Sequence, residues 1–198
     1  MTAIVVPFHG ADGKSRLAPA QDEARAALSL AMLADVLAAA AAVAHTVVVT
    51  SDEAARSVAV ELGVAALDDP GGGQGAAVAH ALATLPVAPT LVVNADLPCV
   101  VPDDLRALEA AIPPRGIALA AAEDGTTNAL GLAEPSLFRP LYGPGSAVRF
   151  GALPAAATVD VPSLVDDVDT LDDLRRLEGR LGPRTQMAVA MAGLLAVT

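Results

Sequence analysis

Thr90 to Pro98 reads TLVVNADLP. The first half is apolar and β-branched on successive positions, which places apolar side chains on both faces of a strand and requires cover above and below. The second half stops that strand: Asn94 is polar, and AlaAspLeuPro sets Asp96 just beyond the strand's carboxyl end in a turn stiffened by Pro98. Open α/β sheets bind their ligands at that end of their strands, so one segment predicts both a central parallel strand and a carboxylate aimed at the binding crevice.

The same reading extends in both directions. Ala3 to Pro7, His45 to Thr50, Val64 to Leu67 and Gly116 to Ala122 are further short apolar runs. Between them lie helical patterns from Gln21 to about Ala42, from Asp52 to Leu62 with Gly63 as its stop, from the glycine-rich loop to near Leu85, and from Pro102 to Ala111. Buried strands alternating with helices predict a single-domain, Rossmann-like, three-layer α/β/α fold with a mostly parallel central sheet. After Glu123 the alternation gives way to short segments and turn dipeptides, and a helix returns at Leu171 to Leu181. The division expected is a domain over residues 1–182 and an apolar C-terminal tail over 183–198.

Composition narrows the function. The chain of 198 residues is 54% hydrophobic and only 2% aromatic, and it carries 23 acidic against 12 basic residues for a net charge of −11. Such a surface repels a nucleic-acid backbone, and few rings are present to stack on bases, so no nucleic-acid partner is expected. The single cysteine, Cys99, excludes an internal disulfide and any cysteine-cluster metal site. The amino-terminal apolar run is short and lacks a basic flank, and the tail MAVAMAGLLAVT is well under the roughly 20 residues that span a bilayer. No membrane association and a cytoplasmic location are expected, with the tail read as a helix covering apolar surface of this chain or of a partner, as in a homodimer.

Five segments carry chemistry. After the first strand, HGADGKSRL offers Gly10 and Gly13 for close backbone approach, and Lys14 and Arg16 as cations for phosphate; two residues between the glycines, where a P-loop has four, set it apart from that motif. The loop Asp68 to Gly75 (DDPGGGQG) opens a helix, with Gly73, Gln74 and Gly75 at its threshold. Asp96 suits a hard cation such as Mg²⁺ bridging triphosphate oxygens, and a second acidic segment, DDVDTLDDL, supplies Asp167 and Asp169. GTTNAL (Gly125 to Leu130) and YGPGS (Tyr142 to Ser146) combine hydroxyls with glycine N–H groups, chemistry for a small carboxylate or phosphate. Singly, each feature also fits a solvated loop, a turn or a helix cap. The three histidines, His9, His45 and His80, are scattered and suggest no general base.

In this order, GKSRL, the pair GTTNAL and YGPGS, and VDDVDTLDDL resemble the CofC/FbiD family, the 2-phospholactate/phosphoenolpyruvate guanylyltransferases of coenzyme F-420 biosynthesis, over about Ile4 to Leu177. The resemblance implies a nucleotidyltransferase that moves GMP from GTP to the phosphate of phosphoenolpyruvate or 2-phospho-L-lactate, with Mg²⁺ as cofactor and pyrophosphate as leaving group. It assigns catalytic roles to Lys14, Arg16 and Asp96. It places GTP against Gly10, Gly13, Lys14, Asp68, Gly73, Gln74 and Gly75, the acceptor against Thr127, Gly143 and Ser146, and the metal on Asp96 with Asp169 and Asp167. It implies hand-off of the product to a downstream deazaflavin transferase. This chain has Gly75 where the family more often carries an amide side chain, and its tail after Gly182 has no counterpart in the family pattern. The alternatives are a molybdopterin-type nucleotidyltransferase, which shares the two acidic segments, and a catalytically silent NTP-binding subunit.

Overall fold

The computed structural model describes residues 2–10, 22–85 and 88–194. Its centre is the run AIVVP, strand β1 (Ala3–Pro7), every residue of which is buried. Parallel to β1 on one side lies β2 (His45–Val49), and beyond it β3 (Ala65–Leu67); on the other side lies β4 (Thr90–Val93). The sheet continues through β6 (Thr127–Leu132), β5 (Ile117–Ala121) and β7 (Ala156–Thr158), in the order β3-β2-β1-β4-β6-β5-β7. All described strands run one way except β6, which is antiparallel to both neighbours.

Alternate side chains of the strands feed two cores. Ile4 and Val6 face α1 (Asp22–Ala41), α2 (Glu53–Glu61), α4 (Pro102–Ala110) and α6 (Pro162–Val165) through Leu33, Leu37, Ala55, Leu105 and Leu164. Val5 and Val92 face α3 (Gln74–Thr84) and α5 (Ser146–Gly151) through Ala77, Val78, Ala81 and Phe150. The result is an α/β/α three-layer fold with a mostly parallel sheet, as the alternating pattern implies. Each fully buried leucine in these layers contributes about 1.5–3 kcal/mol of transfer free energy. α1 is long and apolar enough by composition to cross a bilayer, but Leu28, Met32, Leu33, Val36 and Leu37 are buried in the core.

Two parts differ from the sequence reading. GTTNAL, read as a ligand-cradling loop, is largely β6: Asn128, Ala129 and Leu130 lie inside the sheet, and every residue of the strand is buried. The helix read over Leu171 to Leu181 ends earlier, as α7 (Leu171–Leu177) followed by a 3-10 turn at Glu178–Arg180.

The chain closes with α8 (Pro183–Met191), which packs against α1. Leu28, Met32, Cys99, Val168, Leu174, Leu177, Leu181 and Val189 form a third apolar cluster there. Burial pushes the Cys99 thiol up to about 11, so it is a packing residue. The buried Asp35 of α1 caps α8: its carboxylate accepts from the N–H groups of Arg184 (3.1 Å) and Thr185 (2.8 Å) and from the Thr185 hydroxyl (2.7 Å). A carboxylate at a helix N-terminus with three donors is the geometry in which a buried charge is tolerated. Next to it, Gly182 N–H donates to Pro98 O at 2.7 Å, tying the tail to the turn that carries Asp96.

Candidate active site

β4 ends at Val93, and the chain turns through Asn94, Ala95 and Asp96 at the carboxyl edge of the sheet. The second acidic segment is brought there by two attachments. Val168 N–H donates to Asp96 O at 3.0 Å, and the Val168 side chain is buried in the third apolar cluster beside Cys99. Asp167 and Asp169 therefore stand on either side of an anchored residue. Asp169 is held further by the start of α7, where Asp173 accepts from the N–H groups of Asp169 (3.2 Å) and Thr170 (2.8 Å) and the Thr170 hydroxyl returns a cap to Asp173 N–H. This capping box fixes the backbone from which Asp169 projects.

Carboxylate oxygens of Asp96, Asp167 and Asp169 lie within 4.8 Å of one another. Burial, with the Asp96 carboxylate beside it, pushes Asp167 up to about 6, although Asn128 Nδ2 partly compensates from 3.4 Å. Three oxygen donors that repel one another in one partly buried place fit a hard divalent cation such as Mg²⁺. Behind them, Asp166 is pushed up by burial but pulled further down by hydrogen bonds from Arg176 and Arg180, so it stays ionised and turned away from the cluster.

A cavity of about 310 Å³ opens over these acids. Asp96 and Asp169 line one part of it, and Pro7 to Gly10 of the β1 end, Ser29 and Met32 of α1, Gln74 and Asn94 line the rest. The amides form a chain: Gln74 Nε2 donates to Asn94 Oδ1 at 2.6 Å, and Asn94 Nδ2 donates to the backbone carbonyl of Thr127 at 3.2 Å. A second cavity, about 650 Å³, lies between Gly72 to Ala76 and the segment Pro140, Tyr142 and Gly143, and Gln74 lines both. The Arg149 guanidinium shapes this second wall by donating to the carbonyls of Leu141, Tyr142, Gly143 and Pro144 at 2.6–3.3 Å. Tyr142 is half-buried, packed against the rings of Phe138 and Phe150, and the desolvation of its hydroxyl raises its pKa well above the usual phenol range.

The residues singled out from sequence fall as follows. Asp96, Asp167 and Asp169 converge, and Gly10 and Gln74 line the smaller cavity. Gly13, Lys14 and Arg16 lie outside the described residues. Asp68 points outward, hydrogen-bonded to Arg56; the neighbouring Asp69 is the inward carboxylate, meeting His9 Nδ1 at 2.8 Å and accepting from Gly71 N–H at 2.8 Å. Gly71, Gly72 and Gly73 all adopt positive φ, a path open to glycine at little cost. Gly75 has a packing reason: a Cβ there would meet Pro140 Cβ at 2.8 Å. Gly143 lines the second cavity, whereas the Thr127 and Ser146 hydroxyls are buried against each other at 3.1 Å and line neither cavity. They join β6 to α5 behind the wall instead of presenting themselves to it.

Sequence reasoning passed over His9, Ser29 and Asn94. Ser29 is 4% exposed, and among the described residues its hydroxyl has no hydrogen-bond partner. Asn94 had a visible signal, a polar side chain at the end of an otherwise apolar central strand. Ser29 had none, since a lone serine in an alanine-rich helix reads as neutral.

A family model described as guanylyl transferase CofC like matches residues 2–159. The chain belongs to this family. Among CofC-like relatives, a Streptomyces scabiei protein named phosphoenolpyruvate guanylyltransferase is 42% identical over 207 residues, covering 94% of this chain and 95% of its own length. Proteins of the same name from Thermomonospora curvata and Sphaerobacter thermophilus are 40% and 38% identical, covering 91% and 90% of this chain and 84% and 93% of their own lengths. Solved structures agree on the fold. A Desulfovibrio desulfuricans G20 protein described as a candidate nucleotide-diphospho-sugar transferase superposes with a TM-score of 0.77 at 16% identity, over 97% of this chain and 95% of that one. A nucleotidyl transferase from Methanothermobacter thermautotroptrophicus gives 0.59 at 17% identity, over 90% and 96%.

Proposed function

We propose that this CofC-like enzyme transfers the GMP unit of GTP to the phosphate of phosphoenolpyruvate in the route to coenzyme F-420, releasing pyrophosphate. The observation that carries the reading is the convergence of Asp96, Asp167 and Asp169 at the carboxyl edge of the sheet, under a cavity, in a chain whose relatives bear that activity in their names. The three carboxylates would hold Mg²⁺, which when bound offsets negative charge on the triphosphate.

The rest falls to the chain itself. Asp96 and Asp169 fix one end of the nucleotide site, and the backbone of Phe8 to Gly10 bounds the other. Lys14 and Arg16 would hold the triphosphate from the loop that follows. An oxygen of the acceptor phosphate forms a bond to the α-phosphorus of GTP, and the bond from that phosphorus to the bridging oxygen of pyrophosphate breaks. The attacking oxygen is already ionised at neutral pH, so no general base is required, and positioning with charge neutralisation carries the rate. Gly143 and the loop stiffened by Arg149 bound the acceptor side, with Thr127 and Ser146 tying that loop to the sheet. The burial of α1 side chains in the core speaks against this helix as a membrane span, and a cytoplasmic location is part of the proposal. Gly75, which departs from the family's more usual amide side chain, is accounted for by the contact a Cβ there would make with Pro140.

The test is pyrophosphate release with Mg²⁺ and GTP and, in turn, phosphoenolpyruvate, 2-phospho-L-lactate and 3-phosphoglycerate, with a downstream deazaflavin transferase in a parallel reaction to remove product. Phosphoenolpyruvate should support release, and Asp96→Asn should lower it by at least about 100-fold. If no acid supports release even in the coupled reaction, the reading fails.

A further inference from the structure

We infer that Asn94 locks the side-chain amide of Gln74 in one orientation, and that this locked amide selects guanine over adenine. The inference rests on the guanylyltransferase reading and adds to it the residue that sets base selectivity and the residue that positions it. The lock follows from hydrogen-bond chemistry. The carbonyl of Thr127 can only accept, so Asn94 must turn its amide nitrogen toward it, at 3.2 Å. The Asn94 oxygen then faces Gln74, which must turn its own nitrogen inward, at 2.6 Å. Asn94 is anchored independently through its backbone, whose N–H donates to Asn128 O at 2.9 Å as the ladder between β4 and β6 runs out. A side-chain amide that would otherwise flip at little cost is thereby given a defined acceptor end and a defined donor end.

The location fits a base. Gln74 is the first residue of α3 and lines the cavity whose acidic part is occupied by Asp96 and Asp169. Phosphates belong at the acids with their cation, so the base belongs at the part lined by Gln74 and the β1 end. What Gln74 has left to offer is its Oε1 acceptor and the second hydrogen on Nε2. Guanine presents N1–H and O6 side by side, a donor and an acceptor that meet this pair in register. Adenine presents N1 and its 6-amino group, the same pair reversed. With the amide free to flip, both purines would be served; with it locked, adenine leaves buried polar groups unmatched, which is where large discrimination arises.

Hypoxanthine shares N1–H and O6 with guanine and lacks only the 2-amino group, so it separates this mode from a reader of that amine. The experiment measures displacement of a fluorescent mant-GTP by GTP, ITP and ATP in Mg²⁺, together with kcat/KM for each nucleotide with phosphoenolpyruvate, on the whole enzyme and on Asn94→Ala and Gln74→Leu. The unmodified enzyme should treat GTP and ITP within several-fold of each other and disfavour ATP by about 100-fold. Asn94→Ala, which keeps Gln74 but frees it, should lower the GTP/ATP ratio by about tenfold or more, and Gln74→Leu should bring the three nucleotides to within a few-fold. A ratio unchanged in both variants, with GTP still bound, overturns the inference, as does strong rejection of ITP. These outcomes are separate from failure of the guanylyltransferase reading, in which nucleotide binds but no acceptor supports pyrophosphate release. A general loss of stability in a variant lowers all nucleotides together and leaves the ratio where it was.

Discussion

Asp167 is the carboxylate of the site whose charge is least at ease without a cation, being partly buried with Asp96 and Asp169 close by. Its folded-state pKa, about 6, lies above the ordinary 3.8, so the native chain holds that proton more tightly than the unfolded chain does. Stability from this group is therefore fully present below about pH 4 and is lost as pH rises through 6. Asp167→Asn should make the metal-free protein more stable than its parent at pH 8, by on the order of 1 kcal/mol after allowance for solvent screening, with the difference fading at pH 4. Added Mg²⁺ should raise the melting temperature of the parent and do much less for the variant. Thermal unfolding at the two pH values, with and without Mg²⁺, checks both signs; a variant less stable than its parent at pH 8 would show that the carboxylates are not in conflict. At this scale the acids were legible because the chemistry of a carboxylate beyond a strand end is local. Asp68 and Asp69 were not separable, since which of two adjacent acids turns inward depends on His9, 60 residues away, and on Arg56 of the preceding helix.

Among the elements, the capped tail helix makes the clearest demand. Asp35 satisfies two backbone donors and one hydroxyl at the start of α8, all in a buried setting. Asp35→Ala should cost about 2–4 kcal/mol, since it removes a helix cap and leaves buried donors unmatched. Urea unfolding should show a lower midpoint with an unchanged slope, and a loss under 0.5 kcal/mol (roughly the cost of an ordinary surface change) would contradict the latch. β1, β4 and β5 were readable because each is a buried apolar run with glycine or proline at or near an end, and β1 and α4 fall within a residue of their sequence bounds. β6 was missed for a physical reason. Thr127 and Asn128 are residues that favour turns when exposed, and only pairing with β4 and β5, which the sequence does not display, makes them strand. Short elements such as β7 and α6 carry too few residues for any period to show.

Over the whole molecule, a net charge of −11 and a triad of acids confront substrates that are themselves anions. On the proposed reading attraction is local, from a bound cation and from Lys14 and Arg16, and the fold supplies rigidity in place of a favourable field. Part of that rigidity comes from the chain's end. Removing residues 183–198 would strip the cover from Leu28, Met32 and Leu181, the cluster that also anchors Val168 between the two acids. The truncated chain should bind a hydrophobic dye and lose Mg²⁺-dependent turnover together, and retention of full activity would show that α8 supports nothing at the site. The reversed strand has a further consequence, for synthesis on the ribosome. β4 leaves the ribosome with one edge unpaired, and its neighbour β6 is translated only after α4 and β5. Asp96 meets Asp167 and Asp169 later still, so the nascent chain passes through a stage with an open sheet edge and a solitary site carboxylate, exposed to chaperones and to other unfinished chains until α7 has emerged.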